Sequence, residues 1–245
     1  MDRRPVPARA IKAYRFLRAR SAGTVLALLR RAWRPMLAAL AALVLTVLAF
    51  RWIDPPTTPY ILSESRRLGQ VERSWVDIED VAPVLPRALV AAEDANFCLH
   101  PGFDVQAIRT VIERGEARGA STITQQVVKN VYLWQGRSWV RKALETGLTP
   151  LVETLWPKRR ILEIYLNVAE TGEGLFGVGA AARRYFGTTA AELSPVQAAS
   201  LAVVLPNPKR RDPTALSSGL RQAAARVRDG AATIRADGRS DCFEG

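Results

Sequence analysis

Histidine and cysteine are almost absent. The 245 residues contain one His (His100) and two Cys (Cys98 and Cys242). A zinc site of the usual kind takes about four Cys or His ligands, so zinc hydrolases, zinc fingers and disulfide-dense scaffolds are excluded. Any metal must be held by carboxylates and other oxygen donors, which suits Mg2+ or Mn2+. Strand-like alternation is scarce as well: Val71–Ile78 is the one modest candidate, as part of a small hairpin. No internal repeat or low-complexity stretch is present. What remains is 48% hydrophobic and 24% charged, an ordinary globular composition sufficient for one sizeable domain and short for two.

Acidic residues are also missing from the N-terminal end. Residues 1–34 hold ten Lys/Arg and a single acid, Asp2, and so account for +9 of the chain's +12. The folded body therefore lacks the basic excess that nucleic-acid binding requires. From Pro35 to Phe50 the chain carries no charge, and Trp33, Trp52 and Ile53 flank this run. A membrane-spanning helix needs about 20 mostly apolar residues, with roughly 17 as a lower end. Snorkelling of Arg34 and Arg51, with the tryptophans at the interfaces, brings 35–53 to a workable length. The positive-inside rule then assigns 1–34 to a basic cytoplasmic arm and everything after the anchor to the outside. A cleaved signal peptide and a buried core helix are the competing readings. The long basic approach, and the lack of a small-x-small cleavage site before Arg51, favour an uncleaved anchor. Residues 54–59, rich in proline, read as a linker, and 60–245 as the folded domain.

Helical signals dominate that domain. Leu85, Leu89 and Ala92 share a face, and Asp104 can cap a helix carrying Ile108, Val111 and Ile112. Ser121 is the expected cap of the next, with Ile123, Val127 and Val131. Ser138 precedes a longer helix with the stripe Leu144, Leu148, Leu151, Val152 and Leu155, stopped by Pro157. Ser194-Pro195-Val196-Gln197 is a capping box. Leu220, Ala224, Val227, Ala231 and Ile234 mark a last helix. The expected class is mainly α.

Glu93 ends an apolar helix, where partial desolvation raises a carboxyl toward neutrality and suits a general base or acid. Gly119-Ala120-Ser121-Thr122-Ile123-Thr124-Gln125-Gln126 is a hydroxyl-rich helix start of the kind that receives phosphate oxygens, followed by Lys129 and Asn130. Arg141 and Glu145 lie at i, i+4 within a cluster that includes Arg137 and Lys142. Two carboxylates with phosphate-binding cations suit glycosyl transfer from a sugar pyrophosphate. Arg210, outside these motifs, is expected to be uninvolved.

In this order the motifs resemble those of the peptidoglycan glycosyltransferase family, in its stand-alone Gram-negative form. The resemblance runs from about Ala88 to Pro208 and is carried by Glu93-Asp94, Phe97, His100, Gly102 and Asp104. It continues through 119–130, Arg141–Glu145, Arg160–Asn167 and Gly177–Gly187. Ala120 stands where the family usually has a second glycine. The resemblance implies a lysozyme-like, two-lobed helical domain behind one transmembrane helix. It implies that Glu93 is the base that deprotonates the acceptor sugar, and that Glu145 is a second catalytic carboxylate on the donor side. Lys129, Arg137 and Arg141 would neutralise pyrophosphate, with Ser121, Thr122, Gln125 and Asn130 positioning the substrate. Glu163, Tyr165 and Asn167 are read as structural. The implied partners are a lipid-linked peptidoglycan precursor, the bacterial inner membrane and cell-wall or division proteins. A divalent cation, Mg2+ or Mn2+, is the one cofactor considered, and no organic cofactor is expected. A lytic muramidase and a non-enzymatic membrane scaffold are the rival classes. Finally, this topology places Cys98 and Cys242 outside the cytoplasm, where a disulfide between them is expected. The alternative is two independent thiols.

Overall fold

The computed structural model of the chain describes residues 31, 33–113 and 121–244. Most of the basic arm, and Gly119 and Ala120 of the hydroxyl-rich motif, lie outside them. The chain divides between Ala49 and Phe50 into two units. In the first, residues 33–49 are helical, with Met36, Leu37, Leu40 and Leu45 exposed. No helix among the described residues is long and apolar enough to cross a membrane.

The second unit is mainly helical. Its elements are α1 (Pro59–Leu68), β1 (Glu72–Arg73), α2 (Val84–Glu93), α3 (Val105–Glu113), α4 (Ile123–Tyr132), α5 (Trp139–Leu155) and α6 (Lys158–Val168). After these come β2 (Glu170–Gly172), β3 (Leu175–Phe176), α7 (Val178–Phe186), α8 (Pro195–Val204), α9 (Ser218–Ala236) and α10 (Asp241–Glu244). Most helix starts follow local chemistry. Thr58 accepts from the Ile61 amide at 3.1 Å, with Pro59 as the first helical residue, so Pro59 belongs to α1 rather than to the linker. Asp104 caps α3 through the Ala107 amide at 2.8 Å. Ser138 and Ser194 cap α5 and α8 as expected.

Four expectations need correction. The cap of α4 is Thr122, not Ser121: its hydroxyl accepts from the Gln125 amide, and the Gln125 side chain accepts from the Thr122 amide. The buried face of α5 is Glu145, Thr149 and Val152, while Leu144 is exposed; the helix also continues through Pro150. On α2 it is Ala88, not Ala92, that joins Leu85 and Leu89 in the core. The expected 71–78 hairpin is likewise only a two-residue strand. β1 pairs parallel with β3 (Glu72 with Leu175, Arg73 with Phe176), and the true hairpin is β2–β3.

Two helical groups build the core. α2, α8 and α9 pack together, and α4 packs on α5 and α6. From Ile161 to Val168, α6 buries every residue except Glu163, as a helix does when neighbours surround it. Gly177 begins α7 at φ +83°, and a side chain there would press on the Asn167 backbone at about 3.0 Å. Cys98 and Cys242 form a disulfide with their α-carbons 5.7 Å apart. Around it Phe243 packs on Phe97, Arg87 pairs with Glu244 at 2.9 Å, and Arg239 donates to the Ala95 carbonyl at 3.1 Å.

Candidate active site

Glu93 is the last residue of α2, and its place is set by the residue after it. Asp94 is buried, with one carboxylate oxygen 2.8 Å from His100 Nε2 and the other accepting the Ile123 amide at 3.0 Å. That second bond ties the end of α2 to the first turn of α4. Thr122 adds a bond to the Gly102 carbonyl at 2.7 Å. Gly102 has φ +94°, and a Cβ there would lie within about 2.8 Å of Thr149 and Glu153, so glycine is required for the approach to α5.

With the two helices joined, Gln126 Nε2 donates to Glu93 Oε2 at 2.8 Å. Burial pushes the Glu93 carboxyl above its ordinary value, against the pull of Gln126 and Lys129, while Asp94 adds a smaller push upward. Lys129, one turn beyond Gln126, is pushed down by its own burial. Glu145 and Glu93 act on it in the opposite sense, with Arg141 and Lys142 adding to the downward push. Glu145 is 3% exposed and gathers Arg141 Nη1 at 2.6 Å and Lys142 Nζ at 2.5 Å, as the i, i+4 and i, i+3 spacings allow. Lys142 also reaches the Ser121 hydroxyl at 3.4 Å. Arg141 further donates through Nε to the Gly136 carbonyl at 2.8 Å, and Arg137 is exposed just ahead of α5.

A cavity of about 350 Å3 holds Gln126, Lys129, Asn130, Gln135 and Tyr165 on one side and Glu170, Lys209 and Arg210 on the other. Arg210 is therefore not remote, contrary to expectation, because the 205–210 turn folds back over Lys129. Lys209 pairs with Glu64 at 2.9 Å and with Glu170 at 3.5 Å, and Tyr60 donates its hydroxyl to Glu170. A second cleft of about 260 Å3 meets Glu93 from the side of Asn96, Asp104 and Ser121. The larger cavity beside the sheet, about 790 Å3, holds neither glutamate. Gln126 links the two smaller spaces, since it bonds Glu93 and also lines the cavity of Lys129.

Sequence reasoning missed Gln126 and Lys209 as parts of this site, while Lys142 belongs, as expected, to the cation cluster around Glu145. Gln126 sits inside the quoted motifs, one turn from Lys129, so helical spacing was the available signal. Lys209 carried none. Thr122 and Gln125 come to the site, yet both side chains are engaged in the α4 cap. Asn130 faces the cavity and accepts from Gln135 Nε2 at 3.2 Å. Asn167 and Glu163 brace the 76–78 segment: Asn167 bonds both the amide and the carbonyl of Val76 at 2.8 Å, and Glu163 accepts the Ile78 amide at 3.1 Å.

Among the described residues, one carboxylate–imidazole group has metal-like spacing: Asp94, His100 and Asp104 offer ligand atoms within 4.8 Å of one another. It does not fit a cation. Both Asp94 oxygens are engaged, His100 Nδ1 accepts the Gly102 amide, and Asp104 binds the Ala107 amide and Asn96. The trio is a hydrogen-bonded brace.

The structure thus brings together a desolvated carboxyl, a buried lysine and a cation cluster held by a second buried carboxylate. The chain belongs to the transglycosylase family, whose family model matches residues 61–232. It is 53% identical to a biosynthetic peptidoglycan transglycosylase of Jannaschia sp., over 91% of this chain and 94% of that protein. It is 44% identical to one of Rhodospirillum centenum, over 89% of this chain and 98% of that protein. A third, of Xanthomonas campestris pv. campestris, is 50% identical over 75% of this chain and 80% of its own length.

Proposed function

We propose that this chain polymerises peptidoglycan glycan strands. It transfers a growing glycan from its lipid pyrophosphate to the sugar hydroxyl of a lipid-linked disaccharide-peptide precursor. The observation that carries the reading is a carboxyl made basic by burial, Glu93, bonded to Gln126, which lines the same cavity as Lys129, with Arg141 and Lys142 gathered by Glu145 on the next helix. Glu93 takes the proton of the acceptor hydroxyl as that oxygen attacks the anomeric carbon. The bond from carbon to pyrophosphate oxygen breaks on the opposite side, so configuration inverts without a covalent enzyme intermediate. The departing polyprenyl pyrophosphate needs charge neutralisation more than protonation, and Lys129, Arg137 and Arg141 supply it. Glu145 holds Arg141 and Lys142 in place, Thr122 and Gln125 hold the start of α4, and Ser121 and Asn130 are polar groups beside the cleft. A divalent cation, Mg2+ or Mn2+, would arrive bound to the pyrophosphate, because the protein's own trio of possible ligands is already satisfied.

The same reading covers architecture and place. The two helical groups, α2 with α8 and α9 and α4 with α5 and α6, joined where Gln126 meets Glu93, support a lysozyme-like, two-lobed plan. Residues 35–53 act as a single-pass anchor in the bacterial inner membrane, with the N-terminus cytoplasmic and 60–245 periplasmic; cell-wall or division proteins are further partners. The exposed apolar face of 33–49 supports the anchor, and the disulfide supports an oxidising compartment. Trp139, 92% exposed, lies beside exposed Val140 and Leu144, with Trp134 nearby, a face suited to lipid next to the cleft that takes a lipid-linked substrate. The test is polymerisation of purified lipid-linked precursor. Wild type should form glycan and Glu93→Gln should lose about 10^2- to 10^4-fold; near-normal turnover in Glu93→Gln sinks the assignment.

A further inference from the structure

Tyr165 sits on α6, 1% exposed, with its hydroxyl 3.4 Å from Gln126 Oε1. Gln126 in turn presents Nε2 to Glu93 at 2.8 Å. We propose that Tyr165 is a positioning residue for the base: its hydroxyl fixes the Gln126 amide so that the NH2 group, and not the carbonyl, faces Glu93. This deepens the proposed function and rests on it.

The argument is one of hydrogen-bond accounting. An amide can turn end for end, and its two orientations favour opposite states of a neighbouring carboxyl. An NH2 donor stabilises the carboxylate, which is the form able to accept a proton. A carbonyl instead accepts from the neutral carboxylic acid and stabilises the form that cannot act as a base. Glu93 alone does not decide between them, since either orientation satisfies one of its states. Tyr165 does decide. Its proton needs an acceptor inside the core, and among the described residues Gln126 Oε1 is the one its hydroxyl meets. Were the amide to turn, two donors would face each other and the tyrosine proton would be stranded. Burial pushes the Tyr165 hydroxyl well above its ordinary value, with Glu93 and Asp94 adding to the push, so it stays a donor throughout the working pH range. At 3.4 Å the contact is long for a hydroxyl donor, so its contribution is direction more than strength. The other charged groups facing Glu93 are Asp94, next in the chain, and Lys129 from α4. Neither is altered in the test.

The experiment is a double-mutant cycle on full-length protein with Tyr165→Phe, Gln126→Ala and the pair, reading kcat/KM for lipid-linked precursor against pH. Tyr165→Phe should move the acid limb to higher pH and lower activity about three- to ten-fold on that limb, the worth of one hydrogen bond. The loss on the plateau should be smaller than on the acid limb. Gln126→Ala should shift the limb in the same direction, and adding Tyr165→Phe to it should shift it no further. An unmoved limb in Tyr165→Phe, or an equal shift in both backgrounds, overturns the proposal. Should Tyr165→Phe fail to fold, Tyr165→Leu takes its place in the cycle with the same readings, and an unmoved limb in it or in Gln126→Ala refutes the relay. Glu93→Gln separates the two levels. If wild type polymerises and Glu93→Gln does not, the proposed function stands whatever the Tyr165 result; if Glu93→Gln is active, both fall.

Discussion

Replacing Cys98 and Cys242 by serine should cost this domain a large part of its thermal stability. The two cysteines are 144 residues apart in sequence, so their bond closes a loop of most of the folded unit. Chain-entropy reasoning for a loop of that length gives about 5 kcal/mol, an upper figure because denatured chains retain some structure. Non-covalent contacts at the same place survive the substitution. Phe243 is 2% exposed, and full burial of such a side chain is worth about 1.5–3 kcal/mol. The Arg159 bond to its carbonyl at 3.3 Å and the Arg87–Glu244 pair also remain. The tail should therefore stay docked in the folded state, and the loss should come from the freed denatured chain, at roughly 3–5 kcal/mol. At about 2–4 °C per kcal/mol for a domain of this size, Tm should fall by roughly 6–20 °C. The assay is thermal unfolding of wild type and the double-serine variant with and without reductant, with thiol labelling to establish reduction. Reduced wild type should melt with the variant, and the variant should ignore reductant. Equal melting of oxidised and fully reduced wild type would refute the reasoning.

Glu93→Gln should stabilise the fold at neutral pH even as it removes activity. Burial raises the folded carboxyl above its unfolded value, so the native state binds the proton more tightly, and wild-type stability falls as pH rises through the folded value. The variant's advantage in Tm should thus grow from acid to neutral pH, and a constant difference would contradict the desolvation. Lys129→Ala, Arg141→Ala and Arg210→Ala should each weaken turnover of lipid-linked precursor, whereas Arg226→Ala, exposed on α9, should not; equal losses in all four would indicate non-specific surface charge. Removal of residues 1–49 should leave a folded domain with reduced activity on membrane-embedded precursor. Extending the cut through residue 54 should lower Tm as well, because Phe50 stacks on Tyr132 at 6.2 Å and Arg160 binds the Phe50 carbonyl at 3.0 Å and Asp54 at 2.9 Å; unchanged melting would show these contacts to be dispensable.

Much of this protein is written in local chemistry. Ser138, Asp104 and the Ser194–Gln197 box begin helices because each cap needs only its own side chain and an amide two or three residues on. The pairing of Arg141 and Lys142 with Glu145 follows from helical spacing, and the order of the motifs carries the family. Interactions between segments were legible only where chemistry left few choices, as with two cysteines and one compartment. The tertiary structure alone decided the rest. Ser121 and Thr122 are equivalent as candidate caps; Thr122 takes the role in a fold where its hydroxyl also reaches Gly102 and Asp94 holds the next amide. The apolar stripe of α5 found only part of the buried face: Val152 is in the core and Leu148, Leu151 and Leu155 are half-buried, but Glu145 with its ion pairs is buried while Leu144 is left outside. Gln126 meets Glu93 across 33 positions, and Arg210 reaches the cavity of Lys129 from still farther along the chain. Periodicity reports which residues of one helix share a face. Which face another helix will cover, and which amide will turn toward a carboxylate, depends on the packing of segments far apart in the chain.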